Sequence, residues 1–187
     1  MLNLYDTKGV STVRNLWILI VLIISIVKGN ILHVSTTGDD ESGDGSVNNP
    51  YLTIQKGIDE ASSTDTVLVL NGIWQGGVTI DNKQITLMGE SMDDTKLNIA
   101  ITEPNISVLN NSDTVRIENL KIKRGNAELG GSALNVSNSL VAAKNLDLSN
   151  NMGLHGGAIY LSQSRMSLKD SRIYLNSCDS LGGAIYV

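Results

Sequence analysis

Phenylalanine is missing from this chain, and aromatic residues of all kinds make up only 4% of its 187 positions. A core without rings has to come from Ile, Leu and Val, which suits stacked strands better than a cavity lined with aromatics. Cysteine occurs once, at Cys178, which excludes a disulfide framework within the chain. Cys178 therefore reads as a small buried or half-buried hydrophobe, the alternative being a partner cysteine further along a longer chain. Charge is sparse too: 18% of residues carry one, the net charge is -5 and the basic residues are scattered. A nucleic-acid partner is excluded on that ground, because it demands clustered Lys and Arg to displace counterions. Walker, Rossmann, zinc-ligand and nucleophile-elbow patterns are all missing. No apolar run reaches the roughly 20 residues of a spanning helix.

What is present begins with an address. Residues 16–27, LWILIVLIISIV, form the main apolar stretch and follow Lys8 and Arg14. A basic segment followed by a short apolar one is the pattern of a secretory signal peptide. Val27 and Gly29 place cleavage before Asn30. Residues 1–29 are thus predicted to be a signal peptide or an uncleaved signal anchor. The protein is then secreted or held at the cell surface, and touches a membrane only through this segment if it stays uncleaved. Asn-x-Ser/Thr sequons at Asn105, Asn110 and Asn135 are candidate glycosylation acceptors in such a setting.

The second half of the chain repeats. Gly-Gly pairs stand at 130–131, 156–157 and 182–183, and GGSALNVSNSLVAAKNLDLSNN lies over GGAIYLSQSRMSLKDSRIYLNS with one extra residue at Ser132. Ser137 then meets Ser162, Ser139 meets Ser164, Lys144 meets Lys169, Leu148 meets Ile173 and Asn151 meets Asn176. Each copy holds three short strand-like runs separated by Ser, Asn, Asp and Gly, the residues that turn a chain. Two or three strands in a turn of about 25 residues describe one coil of a parallel β-helix. Alternation sends Leu134, Val136, Ile159, Leu161, Ile185 and Val187 inward, and Tyr160 and Tyr186 outward one coil apart. Upstream the period is looser: TVLVLNG, GVTID and QITLMGE read as one turn, and KLNIA, ISVLN and RIENLKI as a longer one.

The fold class predicted is all-β, a right-handed parallel β-helix with a short N-terminal capping helix, the cap spanning 30–65 and the coils 66–187. Ile54, Ile58 and Ala61 form one stripe of that helix, with Thr53 as its N-cap. The chain stops inside GGAIYV, at the first strand of another coil, which predicts a longer natural protein that supplies further coils and a lid.

The stretch HVSTTGDDESGDGSVNNPYLTIQKGIDEASSTDTVLVLNGIW resembles the opening of pectin-lyase-like β-helix proteins, with Gly57 where their helix usually has Ala. GVTIDNKQITLMGESMDDTKLNI is similar to the first coils of pectin methylesterases. The GGAIY strings at 156–160 and 182–186, with GGSAL at 130–134, resemble the repeats of chlamydial polymorphic outer membrane proteins. Leu148 to Asn151 and Ile173 to Asn176 stand where those repeats carry FxxN. These resemblances imply a β-helix fold and extracellular glycans or host-cell surface proteins as partners.

Carbohydrate-cleaving β-helices hold Asp, Arg and Lys together on one outward strand face. The QDTL string that a methylesterase resemblance requires is absent, as are the paired Asp and G-H-G elements of polygalacturonase-like hydrolases. His155 has no Asp pair beside it and reads as a corner residue. Arg116, Lys121, Lys123 and Arg124 have only Glu118 for acidic company, so no catalytic residue is assigned. Asp40 and Asp44, in D-E-S-G-D-G, hold positions 1 and 5 of an EF-hand-like loop, but Tyr51 replaces the bidentate Glu at position 12; they read as a polar turn, with calcium as the alternative and no other cofactor. Tyr160 and Tyr186 are read as a coil-stabilising ladder or a sugar-stacking platform. The function predicted from sequence is a non-enzymatic, adhesin-like or structural surface protein. The alternative is a carbohydrate-active enzyme, a polysaccharide lyase or hydrolase of the pectin lyase or pectinesterase kind, whose active site lies beyond residue 187. A further coil, beyond residue 187, that supplies clustered Asp, Arg or Lys on one face would separate the two.

Overall fold

The computed structural model describes residues 29–75, 77–98, 103–128 and 131–187; the predicted export segment at 16–27 lies outside them. In chain order the elements begin with β1 (Ile31–Val34), α1 (Ile54–Glu60), β2 (Thr66–Val69), β3 (Gly72–Trp74), β4 (Val78–Asp81) and β5 (Thr86–Gly89). There follow β6 (Thr95–Asn98), β7 (Ile106–Leu109), β8 (Thr114–Lys123), β9 (Asn126–Ala127), β10 (Leu134–Ser137) and β11 (Leu140–Ser149). The last coils supply β12 (Met152–His155), β13 (Ile159–Ser162), β14 (Arg165–Lys169), β15 (Arg172–Tyr174), β16 (Ser177–Leu181) and β17 (Ile185–Tyr186). Pairing between these strands is parallel throughout, and partners lie about one coil apart in sequence, as Leu140 is opposite both Thr114 and Arg165. The chain is a right-handed parallel β-helix, as its periodicity predicts.

Four faces run along the axis. The first stacks β4, β7, β10, β13 and β17, and the short fourth stacks β9, β12 and β16. The second joins β1, β2, β5, the first halves of β8 and β11, and β14; the third joins β3, β6, the second halves of β8 and β11, and β15. Asn residues make the corners because their short polar side chains tolerate the left-handed conformation. Asn110 and Asn138 turn from the first face to the second, and Asn119 and Asn145 bend β8 and β11 between the second and third, all with φ between 48° and 57°.

Inward side chains form columns because strand partners repeat every coil at about 4.8 Å. Val78, Ile106, Leu134 and Ile159 make one such column, and Trp74, Leu97, Ile122 and Leu148 another, all buried. Two expectations change. QITLMGE does not close the first turn: β5 stacks on β2, Thr86 opposite Thr66, so it opens the second face of the next coil. Val187, past the end of β17, is 84% exposed rather than inward. Ile185 stacks on the buried Ile159 in the inward column as expected, and is 42% exposed only because β17 is the terminal strand of its sheet.

Helix α1 covers the upper coil. Thr53 caps it by accepting from the Lys56 N–H at 3.2 Å, and Ile54, Ile58 and Ala61 are buried. The glycine at position 57 has a steric cause: a Cβ there would lie 2.7 Å from Val34 Cγ2 and 3.0 Å from Val67 Cγ1. The helix sits that close to β1 and β2.

Candidate carboxylate–cation site

The outward column of the third face runs Ile73, Lys96, Lys121, Asp147 and Arg172, one residue per coil. Beside it run Asn98, Lys123, Ser149 and Tyr174. Asp147 lies between the inward-facing Leu146 and Leu148, so its own side chain points away from the core. It is nevertheless only 1% exposed, because longer side chains one coil above and below fold over it.

Asp147 Oδ2 receives every partner that the carboxylate has. Arg172 Nη2 is at 3.0 Å, Lys121 Nζ at 3.5 Å, and the Tyr174 hydroxyl donates at 3.3 Å. Asp147 Oδ1 is buried with no hydrogen-bond partner among the described residues. A covered carboxylate oxygen without a donor is costly, and two cations close to the same group are what sustain it. Arg172 also lies 3.8 Å from Asp93, and Lys96 3.8 Å from Asp94, so the Asp93–Asp94 turn rims the column. Lys123 makes no ion pair among the described residues. A chain of net charge -5 thus gathers four cations, Lys96, Lys121, Lys123 and Arg172, on one outward face.

Such a surface can bind oxyanions through charge-assisted hydrogen bonds, the Arg fork matching a carboxylate in shape. Asp147 itself lies beneath these cations, and its carboxylate anchors Lys121 and Arg172 from below. Sequence reading overlooked this cluster because Asp147 is about one coil distant along the chain from both Lys121 and Arg172. The signal was in the repeat alignment: continued for three residues past Lys144 and Lys169, it places Asp147 opposite Arg172. Arg116 stands on the second face, and Arg124 forms a corner with φ 56°.

The other residues singled out from sequence lie elsewhere. Asp40 accepts from Leu52 N at 2.7 Å and from Thr53 N at 3.0 Å and Oγ1 at 2.7 Å, fastening the start of α1. Burial raises the Asp40 pKa, but the Thr53 and Leu52 bonds and the nearby Lys56 charge outweigh it and hold the carboxyl below its ordinary range. Asp44 accepts from Ser46 N at 2.9 Å, and hydrogen bonding by the Ser46 side chain and then its backbone holds the Asp44 pKa down. Among the described residues no three His, Cys, Asp or Glu side chains are grouped to hold a metal ion. Asn105 is fully buried and its Nδ2 donates to the Ser132 carbonyl, so this sequon is closed in the folded chain. Asn110 is exposed at a corner, where its Nδ2 donates to Asp81 Oδ1 at 3.0 Å, and Asn135 is half-buried on the first face. Tyr160 and Tyr186 stack in parallel with centroids 5.5 Å apart, and His155 lies against both. Cys178 is a half-buried free thiol.

No family model and no curated protein sequence matches the chain. Among solved structures it is similar to a pectin methylesterase variant in complex with a hexasaccharide, with a TM-score of 0.47 and 17% identity over 73% of this chain and 49% of that one. It is also similar to the pectin methylesterase PemA from Erwinia chrysanthemi, with a TM-score of 0.46 and 17% identity over 75% of this chain and 52% of that one. The chain spans about half the length of each.

Proposed function

We propose that this chain is a carbohydrate-active β-helix that engages acidic glycans along its third face, with Asp147 at the centre of the site. The observation that carries the reading is the burial of the Asp147 carboxylate between Lys121 and Arg172 on an outward column, with one oxygen unpartnered. Asp, Lys and Arg gathered on one outward face support a carbohydrate-active reading over an inert surface repeat. Lys96 and Lys121 stand on adjacent coils about 4.8 Å apart, and Arg172 two coils further on, about 9.6 Å from Lys121. They form a line of cations along which an extended polyuronate can lay its carboxylates. Arg and Lys take the acidic groups, and the buried Asp147 beneath them holds Lys121 and Arg172 in position.

An adhesin-like role uses the same surface without turnover, and export through residues 16–27 accompanies either version. The test is to titrate the purified protein with galacturonate oligosaccharides and to assay their cleavage and de-esterification. Binding is expected to weaken by about tenfold or more in Lys121→Met and Arg172→Met, and to fall as NaCl rises through the range where the screening length drops to about 3 Å. Turnover that disappears in Asp147→Asn supports an enzyme, and binding without turnover supports the adhesin-like version. Failure to bind any acidic glycan overturns both.

A further inference from the structure

We infer that the first face is a second, separate glycan-binding surface, one that takes neutral sugar chains on the Tyr160–Tyr186 stack. Its outward column reads Thr79, Ser107, Asn135, Tyr160 and Tyr186, one residue per coil. Two rings are thus continued by an amide and two hydroxyls in a straight line at strand spacing. β4, β7, β10, β13 and β17 contain no Lys or Arg, and their one carboxylate, Asp81, is engaged by Asn110. The third face is built from charge; this one is built without it.

The stack leaves ring surface open. Its planes are parallel within 2°, yet the centroids are 5.5 Å apart. Both tyrosines are half-buried, so part of each ring remains uncovered. His155 packs 5.3 Å from the Tyr186 ring and 6.4 Å from that of Tyr160, which holds both in place. The same backbone device serves both tyrosines. A Cβ on Gly131 would lie 2.4 Å from Tyr160 N, and one on Gly156 2.7 Å from Tyr186 N, so the preceding turn is pressed against the strand beneath each ring.

A pyranose offers an apolar C–H face and a rim of hydroxyls. The C–H face stacks on an aromatic ring, and the rim meets Asn135 and Ser107, whose side chains donate and accept. An acidic chain gains nothing here, because the face holds no cation to offset its desolvation. Rings already fixed by stacking lose little freedom on binding, which favours affinity.

The inference does not rest on the third-face reading, and one experiment separates them. Neutral hexasaccharides of β-1,4-glucan, β-1,4-galactan and β-1,4-mannan are titrated calorimetrically against the intact protein, beside a galacturonate oligomer. At least one neutral sugar is expected to bind, and to lose about tenfold or more in affinity in Tyr160→Leu and in Tyr186→Leu. These variants keep an apolar side chain in the column, and their thermal melts establish that the coils remain folded. The neutral affinity should stay within about twofold in Lys121→Met and Arg172→Met, and on raising NaCl from about 50 to about 500 mM. The inference is overturned if no neutral hexasaccharide binds, if the Leu variants bind unchanged, or if neutral binding follows Lys121, Arg172 or salt.

Discussion

A single carboxylate shows how much one residue depends on the coils around it. Asp147 is covered by Lys121 and Arg172, and both carry methylene stems that would still cover it without their charge. Replacing both with Met should therefore leave a buried, uncompensated carboxylate and cost about 3–5 kcal/mol. Adding Asp147→Asn to the double variant should recover most of that loss, because the charge disappears with it. Urea unfolding of the three proteins measures this; equal stability of wild type and double variant would mean that the cluster is not coupled. Asp40 makes the corresponding case at the cap. Its folded pKa is depressed, so its contribution is present above the ordinary carboxylate value of about 3.9 and is lost as pH falls through the lower folded value. Thermal melting should show stability declining below about pH 4, with a shallower decline in Asp40→Asn. The Asp40 loop was read from sequence as a polar turn or a calcium site, and its fastening of Thr53 could not be seen there. The carboxylate reaches residues 12 and 13 positions away through a loop whose path no periodicity describes.

Among the elements, strands were easier to read than corners. The alignment of residues 130–151 on 156–176 reproduces the observed registers, with Ser137 opposite Ser162, Lys144 opposite Lys169 and Leu148 opposite Ile173. These coils have nearly constant length, so sequence offset and spatial offset coincide. Upstream the paired positions drift, from Ile31 opposite Thr66 to Thr66 opposite Thr86 and Thr86 opposite Arg116. Loops of unequal length there hid β3 and misplaced β5. The matched Asn151 and Asn176 proved to be an internal ladder. Asn151 accepts from Gly125 N at 3.0 Å and donates to Ile122 O at 3.1 Å, and its own N–H donates to Asn176 Oδ1 at 2.9 Å. Asn151→Ala should leave the Gly125 N–H and the Ile122 carbonyl buried and unpaired, at about 1–3 kcal/mol for each such group. Unfolding of this variant by denaturant measures the cost, and a loss within about 0.5 kcal/mol, the range of an ordinary surface change, would exclude a structural ladder.

For the whole molecule, the β-helix turns sequence-distant residues into faces of distinct chemistry: cations around Asp147 on the third, uncharged rings and amides on the first. The faces follow from alternation once the corners are known, but Asp147 became visible as a site only when Lys121 and Arg172 were stacked on it. The central claim is that acidic glycans lie along the third face. Lysine acetylation footprinting, read by mass spectrometry with and without a galacturonate hexasaccharide, tests it most directly. Lys96, Lys121 and Lys123 should be protected by the sugar, while Lys144 and Lys169, exposed on the second face, react as before. Protection centred on Lys144 and Lys169, or none at any lysine under saturating sugar, would contradict the account.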